Sequence, residues 1–300
     1  MLNIDELEEK FSIEGEVGFA NLGNDFIFIS VSNKYAEADI CLYGAQITNF
    51  TPHESIGALW MSSECIFQEG KAIRGGIPVC FPWFGPHKTD TEKPQHGFAR
   101  IMHWDVNEIS NNQIGETIVS LKLCSSGATK ALWPHDFCAE INFIIGKSLS
   151  VSLKVTNTST KAFEYTAALH SYFNLSGIEN IAIEGLQNTK YNDYLTSTDS
   201  VQKSPDLLIE KAETRLYYDT EETCLIKDSA FNRKISVAKK GSSVTTVWNP
   251  GEETCRNASD LADDAYQTFV CIEATNTLNN IINLAPNESH ETSTIIGVER

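Results

Sequence analysis

Leu149, Val151, Leu153 and Val155 alternate with Ser150, Ser152 and Lys154. This period of two constrains the fold more than any other feature of the chain. Successive side chains of a β-strand point to opposite faces, so such alternation makes one apolar and one polar face. Similar short runs recur at residues 26–31, 118–123, 141–145, 181–183, 235–237, 244–248 and 269–272, with Asn, Gly, Ser and Thr clusters between many of them. Only residues 5–11 and 260–267 read as helices, and both are short. Many strands with turn signals and few helices predict an all-β fold, a large antiparallel β-sandwich, rather than alternating βαβ units. No internal repeat, low-complexity tract or Pro/Gly/Ser linker divides the chain. The expectation is therefore one domain over residues 1–300, for which a hydrophobic content of 41% supplies a sizeable core.

Charge narrows the function. Forty acidic residues against 23 basic ones leave a net charge of −17, whereas nucleic acids and anionic membranes demand an excess of Lys and Arg. An aromatic content of 10% and scattered charges argue against disorder. The N-terminal stretch MLNIDELEEKF is acidic and is followed by no apolar signal core. The apolar stretches at 77–84 and 141–145 are too short to span a bilayer. Eight cysteines show no CxxC spacing, and no two lie within a dozen residues of each other. They read as free thiols in a reducing compartment, which makes a cytoplasmic location the expectation.

One segment departs from this background. From Arg74 the chain reads RGGIPVCFPWFGPH, followed shortly by Gln95, His96, Gly97, Phe98, Ala99 and Arg100. Between Lys71 and Trp104 there are five basic residues, two acidic residues and three histidines. On composition it reads equally well as a stiff anion-binding surface or as a turn-rich connection whose arginines pair with carboxylates. A second candidate is His170, in LHSYFN, although a lone histidine is more often structural. A third is Glu273, closing the apolar run FVCI. Such a carboxylate either faces water at a strand end or is desolvated with a raised pKa. Trp248, before Asn-Pro-Gly, reads as a core residue. Metal-ligand spacings, GxGxxG, P-loop and GxSxG motifs are absent, so no metal or cofactor is expected.

Taken together, these stretches resemble the D-hexose-6-phosphate mutarotases, or glucose-6-phosphate 1-epimerases, a branch of the aldose 1-epimerase superfamily with the galactose-mutarotase-like β-sandwich. The motifs run in order: RGGIPVCFPWFG, QHGFAR, LHSYFNLSGIENIAIEGL, YND, VWNP and FVCIEA. The likeness spans essentially the whole chain, and the arginine pair marks the phosphate branch. It implies a monomeric, cofactor-free isomerase acting on a small sugar phosphate. Glu273 would be the general base and His170 the general acid. Arg74 and Arg100 would hold the phosphate, with Gln95 and His96 as further substrate contacts. One position departs from the family: Thr214 stands where a sugar-binding aspartate is expected, with Glu213 and Asp219 as candidate substitutes. Alternatives on the same fold are a non-catalytic sugar-phosphate sensor and a neutral-aldose 1-epimerase.

Overall fold

Alternation becomes burial in the strand Ser148–Asn157, where Leu149, Val151, Leu153 and Val155 are buried and the residues between them only partly so. Its antiparallel neighbour Phe137–Ile145 repeats the pattern. The computed structural model describes residues 3–23 and 26–300. These two strands sit within an eight-stranded sheet ordered Ile181–Glu184, Cys224–Asp228, Arg233–Lys240, Ser289–Glu299, Ser148–Asn157, Phe137–Ile145, Thr117–Cys124 and Asp105–Asn111. A second eight-stranded sheet is ordered Thr198–Val201, Lys190–Asp193, Glu213–Tyr217, Val244–Asn249, Phe269–Asn276, Ala167–Leu169 and Val79–Cys80, and Tyr172–Asn174 pairs onto Phe269–Asn276. A four-stranded sheet spans residues 17–52. The principal core draws Val151 and Ile296 from the first sheet, Val247, Val270 and Ile272 from the second, and Ile29 and Ile40 from the third. The expected antiparallel sandwich is thus the observed architecture.

The second sheet breaks the simple alternation. Every residue of Phe269–Asn276 is buried. Val270 and Ile272 enter the principal core, whereas Phe269 and Cys271 join a separate cluster with Trp60, Tyr172, Leu261 and Ala265. Both faces of this strand are covered, so it reads as a continuous apolar run. It also extends past the 269–272 run, which places Glu273 inside the strand.

One helix expectation holds, and the rest need correction. The helix expected at 5–11 forms as Ile4–Phe11, with a capping box between Asn3 and Glu6. That at 260–267 is mostly turn, ending in the short 3-10 segment Ala265–Gln267. Its apolar residues sit at helical spacing because Leu261 and Ala265 both seat into the aromatic cluster. Short helices form instead at Gly127–Leu132 and Gly251–Asn257. The cysteines are not all free: Cys124 and Cys138 are joined by a disulfide. Hairpin register places them directly opposite each other, which a spacing of 14 residues does not reveal. No described helix is long and apolar enough to cross a membrane.

Ile272→Ala removes a side chain that anchors this doubly covered strand to the core. It is expected to lower unfolding free energy by about 2–5 kcal/mol. Urea denaturation should show a lower midpoint at unchanged slope.

Candidate active site

Register across the second sheet builds the floor of one cavity. Asn192 pairs with Leu216, Leu216 with Thr246, and Thr246 with Glu273. A second row runs from Thr214 to Trp248, then Cys271, then Tyr172. With a strand period of two, these rows share the face opposite Val247, Val270 and Ile272, which enter the core. Asn192, Leu216, Thr246, Glu273, Thr214, Trp248 and Tyr172 all line a cavity of about 850 Å³. Trp248 therefore faces this cavity rather than the principal core.

Loops supply the walls. All six residues singled out in the sequence, Arg74, Gln95, His96, Arg100, His170 and Glu273, line the cavity. Two glycines permit close main-chain approach, Gly76 seating the RGGIP segment on the strand Gln46–Pro52 and Gly97 seating QHGFAR against Phe81. Gly76 has φ +60° and Gly97 φ +76°, and an added Cβ would lie 2.1 Å from the carbonyl oxygen of Ile47 or Phe81 respectively. His96, itself at φ +63°, donates its main-chain N–H to Gly85 O (2.7 Å) and accepts the Gly85 N–H at Nδ1 (3.1 Å). With Nδ1 accepting, the neutral ring carries its proton on Nε2. Burial and the neighbouring Arg100 and Arg74 charges lower its pKa to about 3. His96 is thus a fixed neutral donor at neutral pH.

His170 lies between the strands Ala167–Leu169 and Tyr172–Asn174. Its ring stacks on Tyr172 at 4.8 Å, with 11° between planes, and meets Trp248 edge-on. Its Nδ1 is 3.5 Å from Glu273 Oε1. His170 is 7% exposed and Glu273 1%. Neither Glu273 oxygen nor His170 Nδ1 has a hydrogen-bond partner among the described residues. A buried polar atom without a partner is costly, so these three atoms mark where a ligand's hydroxyls would bond. Burial pushes the Glu273 carboxyl well above its ordinary range, opposed by Arg100. Burial also pushes His170 well below its own, aided by His96 and the two arginines.

The two arginines are not equivalent. Arg74 forms a bidentate pair with Asp260, Nε to Oδ2 at 2.9 Å and Nη2 to Oδ1 at 3.2 Å. Arg100 donates Nη2 to the Gln95 carbonyl (2.8 Å) and forms no ion pair among the described residues. Its enclosed Nε has no partner among the described residues, and burial lowers its pKa. The reading in which the arginines pair with carboxylates holds for Arg74 and not for Arg100. Lys71 also lines the cavity, whereas Lys88 and Lys93 are not among its lining residues. Asp260 was missed in the sequence because it lies 186 residues from Arg74 within an acidic stretch that reads as helix.

Comparisons with known proteins give the family. The aldose 1-epimerase family model matches residues 28–297. The chain belongs to the aldose 1-epimerase family. Two relatives share the name "Putative glucose-6-phosphate 1-epimerase". The Escherichia coli K12 protein is 36% identical over 250 residues, covering 82% of this chain and 81% of that one. The Cenchrus ciliaris protein is 32% identical over 245 residues, covering 79% and 74%. The crystal structure of a "putative mutarotase" from Salmonella typhimurium superposes with a TM-score of 0.90 at 29% identity, covering 97% and 96% of the two chains.

Neither candidate replacement for the aldose 1-epimerase aspartate lines the cavity. Thr214 does face it, but strand parity turns Glu213 away, where it pairs with Arg215 Nε at 2.7 Å. Asp219 accepts from Asn279 Nδ2 at 2.7 Å. The cavity's only lining carboxylates among the described residues are Asp260 and Glu273.

Glu273→Gln removes the buried charge and keeps its shape. Because the carboxyl's pKa is raised on folding, its contribution to native stability is fully present below the unfolded value near 4.5. That contribution is lost as pH rises through the folded value. The E273Q variant is therefore expected to melt several degrees above wild type at pH 8 and much closer to it at pH 4. Melting curves showing the same difference at both pH values would remove the case for a desolvated carboxyl.

Proposed function

We propose that this chain interconverts the α and β anomers of a hexose 6-phosphate, with glucose 6-phosphate the leading substrate. The observation that carries the reading is the buried Glu273–His170 pair. Among the described residues three of its polar atoms lack partners, and it shares a cavity with Arg100, which forms no ion pair there. The names of the two relatives point the same way.

Anomer exchange needs one base and one acid. Glu273 takes the proton from the C1 hydroxyl while His170 gives one to the ring oxygen, so the C1–O5 bond breaks and the aldehyde forms. Rotation about C1–C2 presents the other carbonyl face. Reclosure then returns the proton from O5 to His170 and from Glu273 to O1, with no net gain or loss of atoms or electrons. Desolvation makes Glu273 a stronger base in its ionised form and His170 a stronger acid in its protonated form. His96 Nε2 donates to substrate without changing charge.

The phosphate supplies orientation. Arg100, Lys71 and the free donors of Arg74 line the cavity, and charge-assisted bonds to phosphate can hold C1 between base and acid. The net charge of −17 opposes a small dianion only weakly, since the Debye length is about 8 Å at physiological salt.

Three outcomes test the reading by NMR exchange spectroscopy on equilibrated glucose 6-phosphate. His170→Ala and Glu273→Ala should each lower kcat by roughly 10²–10⁴-fold. Arg100→Met should raise KM. Because Arg100 lowers the pKa of both Glu273 and His170, its loss should move both limbs of the pH profile of kcat upward. Unchanged exchange in both alanine variants would defeat the assignment. Thr214 keeps the sensor alternative open, and binding without accelerated exchange is the result that supports it.

A further inference from the structure

Asp260 touches none of the atoms assigned to proton transfer, yet it occupies a central position in the wall. Arg74 offers five N–H donors. Asp260 takes two of them, and a third, on Nη1, reaches the Tyr172 hydroxyl at 3.1 Å. Two donors remain, one on each terminal nitrogen. Tyr172 is buried and carries the ring on which His170 stacks. Both main chains are pinned by one buried residue: Ser62 N–H donates to Arg74 O (3.1 Å) and Ser62 Oγ donates to Asp260 O (2.7 Å).

The chain of contact therefore runs from Asp260 to Arg74, to Tyr172, to His170. A lone arginine on a flexible stem would present its charge in many orientations, and a bidentate carboxylate selects one. The same carboxylate cancels most of Arg74's charge, which leaves Arg100 and Lys71 as the uncompensated cations of the cavity. Resting on the function proposed above, we infer that Asp260 is a positioning residue. It converts Arg74 from a charge anchor into a directional donor and sets the placement of the anion-binding end relative to His170.

A double-mutant cycle tests this. Calorimetric titration of glucose 6-phosphate into wild type, D260N, R74M and the D260N/R74M double variant reports whether Asp260 acts through Arg74. D260N should weaken binding about tenfold in the wild-type background and less than twofold in the R74M background. In NMR exchange, D260N should raise KM more than it lowers kcat, and D260E should recover part of the loss. Should D260N not fold, as judged by its melting curve, D260E and Y172F complete the same cycle against R74M. Equal losses in both backgrounds overturn the role of Asp260 and leave the isomerase reading untouched. Wild type that binds glucose 6-phosphate without accelerating exchange overturns that reading alone, and the cycle still stands.

Discussion

The molecule is organised around the burial of Phe269–Asn276 on both faces. Most strands of a sandwich trade one face to water. Here Val270 and Ile272 belong to the principal core, and Phe269 and Cys271 to the aromatic cluster behind the cavity. The strand cannot slip by one residue without sending apolar side chains into the cavity and Glu273 into the core. The packing that stabilises the sandwich is thereby the packing that places the carboxylate. Neighbouring strands extend the same constraint, because their registers carry Thr246, Leu216 and Asn192 in one row and Trp248 and Thr214 in the other.

That placement has an electrostatic consequence. A carboxyl 1% exposed with both oxygens unpartnered is a poor design for stability and a good one for proton transfer. The histidine at 3.5 Å shares the same dry setting, so desolvation moves both pKa values away from their solution values. Around this pair the charges are graded: Arg100 is uncompensated, Arg74 is held by Asp260, and His96 is locked neutral by Gly85. Concentrating local positive charge inside a strongly acidic protein is consistent with recognition of a small anion in a pocket rather than a polyanion on a surface.

Much of this was legible in the residues. Alternation at 149–155 and its repeats foretold antiparallel strands, and the ordered motifs named six residues that all line one cavity. Other features were not. Asp260 sat in a stretch whose apolar spacing imitated a helix, while its partner lay 186 residues away. Cys124 and Cys138 looked like isolated thiols because only hairpin register sets them opposite each other. Trp248 read as core because its strand is apolar, and only the orientation of that strand shows that its ring borders the cavity.

The sequence by itself determined the period of the strands, the turn chemistry at Gly76 and Gly97, and the supply of carboxyl, imidazole and cationic side chains. These are local properties, set by residue type and near neighbours. Tertiary structure decided which face of each strand met the core, and hence that Thr214 lines the cavity while Glu213 turns away to Arg215. It also decided that one arginine would be neutralised by a carboxylate and the other left charged. Those outcomes depend on which strands lie side by side, and pairing between distant segments is set by burial of the whole chain rather than by any short stretch of it.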